Sequence, residues 1–87
     1  MTVDDVLNQR QKTHGNFADV AEIAQTIKDA IDTLGSGELS HTHREALDLI
    51  ATKMARIAAG DPNNIDHWLD IEGYARLVRN ILERANG

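Results

Sequence analysis

Along residues 17–34 the apolar positions Phe17, Val20, Ala24, Ile27, Ile31 and Leu34 recur at three- and four-residue spacing, which places them on one stripe of an α-helix. Asp19, Glu22, Thr26 and Asp29 fall on the opposite side and are expected to face solvent. The same helical period, with no strand-like alternation, predicts three further helices. A short first helix spans roughly residues 3–12 and carries Val3, Val6 and Leu7. It stops at Thr13-His14-Gly15-Asn16, where Gly15 can take a left-handed cap conformation and Asn16 can cap the second helix.

Gly35-Ser36-Gly37 ends the second helix, and the loop through Ser40 reads as flexible. The third helix is expected to begin with a capping box, Thr42-His43-Arg44-Glu45, in which Glu45 reaches back to the backbone N–H of Thr42. It continues through Leu47, Ile50, Met54 and Ile57, with one polar stripe of Glu45, Asp48, Thr52 and Arg56 bordered by Lys53. Gly60-Asp61-Pro62-Asn63-Asn64 is a stop-and-restart signal. The third and fourth helices are therefore an antiparallel hairpin. The fourth, roughly 65–85, is expected to turn Trp68, Ile71, Tyr74, Ala75, Val78 and Leu82 inward, and Asp70 near them.

Composition narrows the picture. The 87 residues make one small helical domain, 1–87, and a chain of this size buries only about 60–65% of its unfolded surface, so oligomerisation would add stability. Without cysteine there is no disulfide or thiolate metal site, and a reducing cytoplasm is expected. The acidic N-terminal segment does not read as a signal peptide, so none is expected, and no apolar run reaches membrane-spanning length. Net charge is −5, with nine scattered Lys and Arg and only one Phe, Trp and Tyr each. That argues against duplex or single-stranded nucleic acid and against an anionic membrane. A cation or a metal-bound nucleotide suits it better.

Glu45 with Asp48, and Asp66 with Asp70, have spacings that put two carboxylates on one helix face. Two such helices side by side can surround a hard cation, and magnesium would keep waters and bridge to substrate phosphates. Each acid also has a structural role open to it. Asp66 lies in a first turn, where the helix dipole favours negative charge, and Asp48 can pair across helices. Asp70 is either an ion-pair partner of Lys53 or Arg56 or a ligand position. His14 reads as a turn histidine that can contact phosphate, His41 and His43 as solvated loop residues, and His67 as a boundary residue. Gly73, which costs roughly 1 kcal/mol inside a helix, marks a close helix contact or substrate approach. No nucleophile–base pair or phosphate loop is present.

Thr13-His14-Gly15-Asn16-Phe17, Arg44-Glu45-Ala46-Leu47-Asp48 with Lys53 and Arg56, Gly60-Asp61-Pro62, and the run from Asp66 to Ala75 together resemble a group of small phage and prophage proteins of unassigned function. That group looks like a reduced relative of the MazG-like all-α nucleoside triphosphate pyrophosphohydrolases. The resemblance implies a four-helix domain that forms dimers or tetramers. It also implies magnesium held by Glu45, Asp48, Asp66 and Asp70, phosphate held by Lys53, Arg56 and His14, and Tyr74 or Trp68 bordering the base. Glu45, Asp48 and Asp70 would be the catalytic set. The chain departs from the family pattern in lacking a consecutive Glu-Glu pair followed three residues later by Glu. The expectation is magnesium-dependent hydrolysis of a nucleoside triphosphate to monophosphate and pyrophosphate. The alternative is a non-catalytic phage protein that binds a nucleotide signal or inhibits a host defence factor, and a third is a purely structural module.

Overall fold

The structure, a computed structural model, describes residues 2–87; Met1, with which the N-terminal segment begins, lies outside them. Helix α1 spans Val3–His14, α2 Phe17–Leu34, α3 His41–Ala59 and α4 Ile65–Asn86, and no strand occurs among the described residues. The protein is all-α with four helices.

Caps explain where the helices start. The Thr2 hydroxyl accepts from the Asp5 N–H and the Asp5 carboxylate accepts from the Thr2 N–H, each at 3.1 Å, so both residues satisfy donors that the first turn leaves free. Asn16 and Asn64 cap α2 and α4 through their side-chain oxygens, which accept from Ala18 N–H at 2.9 Å and Asp66 N–H at 3.0 Å. The box expected at the start of α3 is displaced. Ser40 is the N-cap, its hydroxyl accepts from His43 N–H, and the Ser40 N–H donates to His43 Nδ1. The imidazole takes the role assigned to Glu45, because its ring nitrogen reaches the same kind of orphan donor two residues earlier. Glu45 is exposed, and His43 is a capping residue instead of a solvated loop one.

Helix α3 is the centre of the molecule. Helices α2 and α4 pack along its two sides without touching each other, and α1 crosses one end of α2 and α3. The result is an elongated layer of helices, 49 × 27 × 22 Å. Its buried apolar residues are Val20 and Ala24 of α2 with Ala51 and Ala55 of α3; Val20, Ala24 and Ala55 form one cluster, against which Ile23 and Ala59 pack. Alanines at the contact let the two helices approach closely. The buried stripe of α2 is shorter than its periodicity implied. Phe17 and Leu34, at the two ends, are 82% and 81% exposed, since the layer covers only the middle of the helix. On α4, Ile71, Tyr74 and Val78 are half-buried, whereas Trp68, Ala75 and Leu82 are exposed. One neighbouring helix covers one narrow stripe of α4, not the wider face a closed bundle would bury.

Candidate functional site: a cationic cleft beside a glycine junction

The two loops that the sequence marks most strongly meet in space. Gly15, between α1 and α2, has φ +84° and ψ 173°, a combination of positive φ and extended ψ that is essentially restricted to glycine. A Cβ there would lie 2.6 Å from the Ala59 carbonyl carbon, and one on Gly60 would lie 2.5 Å from the Thr13 carbonyl oxygen. Backbone therefore presses on backbone. The Asp61 N–H donates to the Thr13 carbonyl at 3.1 Å, fastening the α3–α4 turn to the end of α1.

His67, in the first turn of α4, completes this junction. It is 2% exposed, and its Nε2 donates to the same Thr13 carbonyl at 2.9 Å, which fixes the tautomer with the proton on Nε2. Its ring meets the His14 ring edge to face, centroids 4.7 Å apart at 88°. The expectation of a boundary residue is corrected: a buried imidazole is tolerated because its polar atom has a partner. Sequence spacing carried no sign of this, since the partner lies 54 residues away. His14 Nδ1 is in hydrogen-bond contact with the Thr13 hydroxyl. Burial, then the neighbouring His67, Arg56, Lys53 and Arg10, pushes the His14 pKa below its ordinary value.

Next to this junction, α1, α2 and α3 enclose a cleft of about 920 Å³. Arg10, Gln11 and His14 come from α1, Phe17, Gln25 and Lys28 from α2, and Thr52 and Arg56 from α3, over a floor that includes Val20 and Ala24. Among the described residues three cations line it and no carboxylate does, in a chain of net charge −5. A low-dielectric floor with cationic walls concentrates positive potential, and an exposed Phe17 ring at the mouth offers a stacking surface. Such a cleft suits a phosphate-bearing ligand with an aromatic base.

The residues singled out in the sequence separate into several places. His14 and Arg56 share the cleft. Lys53 and Asp70 hold each other, Nζ to Oδ2 at 2.7 Å, with Lys53 13% and Asp70 41% exposed in their side chains. The hydrogen bond from Lys53 keeps the Asp70 carboxyl below the usual carboxylate range, and the ion pair expected of Asp70 is formed with Lys53. Trp68 donates its indole N–H to the Pro62 carbonyl at 2.8 Å, bracing the α3–α4 turn. Tyr74 lines a separate groove along α4 with Gly73. Asp66 is exposed in the first turn of α4, and Asp48 is half-buried while its carbonyl accepts from the Thr52 hydroxyl at 3.1 Å. Among the described residues no group of three or more His, Asp or Glu side chains is placed to hold a metal ion. Of the cleft residues, Arg10 and Lys28 were not brought forward by the sequence, and Phe17 was read only as part of the buried stripe of α2 and of the Thr13–Phe17 motif. They sit on three different turns of two helices, and no spacing rule joins them. Gly73 meets no side chain or distant backbone within 4 Å of an added Cβ, which removes the close helix contact expected there.

A family model for a domain of unknown function, DUF6378, matches residues 2–82. The chain belongs to this family. The match runs from the α1 cap through most of α4, so the junction and the cleft both lie inside the DUF6378 domain. No curated protein and no solved structure matches the chain. No helix among the described residues of the domain is long and apolar enough to cross a membrane.

Proposed function

We propose that this DUF6378 domain is a nucleotide-binding module of the phage, MazG-like kind that its motifs resemble, and that the nucleotide sits in the cleft between α1, α2 and α3. Arg10, Lys28 and Arg56 neutralise phosphate oxygens, and Phe17 stacks on the base. His14, held neutral at physiological pH by burial and its cationic neighbours, donates or accepts a hydrogen bond without adding charge. The observation that supports this reading is the lining itself: among the described residues, three cations and no carboxylate around about 920 Å³. Guanidinium and ammonium groups gain most from phosphate when the surrounding dielectric is low.

The test is thermal unfolding and calorimetric titration with a panel of nucleoside mono-, di- and triphosphates, with and without magnesium. A ligand at a hundred times its dissociation constant adds about 2.7 kcal/mol to stability. Stabilisation should rise with phosphate number, and Arg56→Gln or Lys28→Gln should weaken binding by roughly tenfold, the scale of one lost charged hydrogen bond. Equal effects of a triphosphate and its bare nucleoside would end the proposal.

A second reading, hydrolysis of a bound triphosphate to monophosphate and pyrophosphate, is favoured by one feature. Glu45 and Asp48 share a helical face with Thr52 and Arg56, two residues of the cleft. Pyrophosphate release that Asp48→Asn abolishes selects this reading, and tight binding without turnover selects the first alone.

A further inference from the structure

The two ring nitrogens of His14 have different tasks. The Thr13 hydroxyl donates to the Arg10 carbonyl at 3.3 Å, which leaves its oxygen to accept from His14 Nδ1, the atom it touches. That bond puts the proton of the neutral ring on Nδ1 and a bare lone pair on Nε2. Among the described residues Nε2 has no partner, and no side-chain nitrogen of a covered residue is both buried and unpartnered. Nε2 therefore reaches accessible space, and the ring lines the cleft. A lone pair there repels a phosphate oxygen, which is an acceptor too. Only the imidazolium, with a proton on each nitrogen, can donate to it.

Bases face the ring from every side. Arg10 lies on its own helix, Lys53 and Arg56 on α3 and His67 on α4, while Lys28 of α2 lines the same cleft. Asp70 offsets one of these charges through its 2.7 Å pair with Lys53. A proton added to His14 in the free domain sets a cation among cations and is disfavoured. A phosphate in the cleft reverses that field, because an anion within about 4–6 Å favours the charged ring.

We propose that His14 couples phosphate binding to proton uptake: as a phosphate oxygen enters the cleft, Nε2 takes a proton from solvent and donates to that oxygen in a charge-assisted hydrogen bond. The ring is neutral in the free domain at physiological pH and joins Arg10, Lys28 and Arg56 as a further cation in mild acid, so affinity rises as pH falls. By linkage, bound phosphate keeps His14 charged to higher pH. This coupling rests on the nucleotide reading of the cleft, but that reading does not need it.

The experiment is an NMR titration of the His14 ring between about pH 5 and 8, alone and with inorganic tripolyphosphate or ATP without magnesium, alongside calorimetric titration of both probes. Either anion should move the His14 midpoint to higher pH. Affinity should be about tenfold greater near pH 5.5 than near pH 7.5, the scale of one charged hydrogen bond. A terminal phosphate itself titrates near pH 6, equally for wild type and His14→Gln, so the difference between their pH slopes isolates the ring. His14→Gln should lose the gain in acid. If that variant does not fold, the wild-type ring titration decides. Binding that leaves the His14 midpoint in place, or an acid gain that His14→Gln retains, overturns the coupling while the nucleotide reading stands. Failure of both probes to bind at any pH overturns both.

Discussion

Gly15 has no substitute. Its positive φ with extended ψ excludes side chains, and the Ala59 backbone occupies the place of a Cβ. Gly15→Ala is expected to cost about 3 kcal/mol, a fall in melting temperature on the order of 15 °C for a domain this small, measured by thermal circular dichroism. His14 gives a pH prediction. Its pKa is lower folded than unfolded, so as pH falls through about 6.5 the unfolded chain takes up a proton before the native one does. Stability is complete above that value and declines below it until the folded pKa is passed. Denaturant midpoints at successive pH values should therefore drop on the acid side, and His14→Gln should flatten the decline. Asp70 has the same sign at lower pH: the stability from its pairing with Lys53 is present above its unfolded pKa and is lost as pH falls through its lowered folded pKa.

At the scale of elements, the helices were legible because each carries its own start and stop. Asn16, Asn64, Gly35 and Gly60 act on the turn next to them, and those local bonds occur where the motifs place them. The start of α3 was misplaced because Ser40 and Thr42 are both good caps, and only the fold shows that the chain enters the helix at His41. Helix α4 invites the next prediction. Gly73 faces open space within a 22-residue helix, so Gly73→Ala gains helix propensity with no steric cost. The expected stabilisation is about 1 kcal/mol, read as a rise of several degrees in melting temperature. A loss of stability would mean that the folded domain brings something against this face.

For the whole molecule, net charge and local charge point in opposite directions. A chain of −5 repels anions at long range, yet the cleft gathers Arg10, Lys28 and Arg56. Nucleotide affinity should then depend on short-range contacts screened by salt. Raising ionic strength from about 0.05 to 0.5 M shortens the Debye length from roughly 14 Å to 4 Å and is expected to weaken binding severalfold in calorimetric titrations. An affinity indifferent to salt would place the energy in Phe17 and the apolar floor instead of the cations.

The sequence by itself determined four helices and the glycine- and asparagine-marked turns between them, because a helix and its caps depend on residues a few positions apart. It also brought forward His14, Lys53, Arg56 and Asp70, whose types are costly to place without partners. Only the tertiary structure decided that His67 is buried against Thr13 and that Asp70 belongs to Lys53. The same holds for the cleft, since Arg10, Lys28 and Arg56 lie on three separate helices. The reason is physical: helical period fixes which residues share a face, but which faces meet depends on how α3 is flanked, and that is settled by packing between distant parts of the chain.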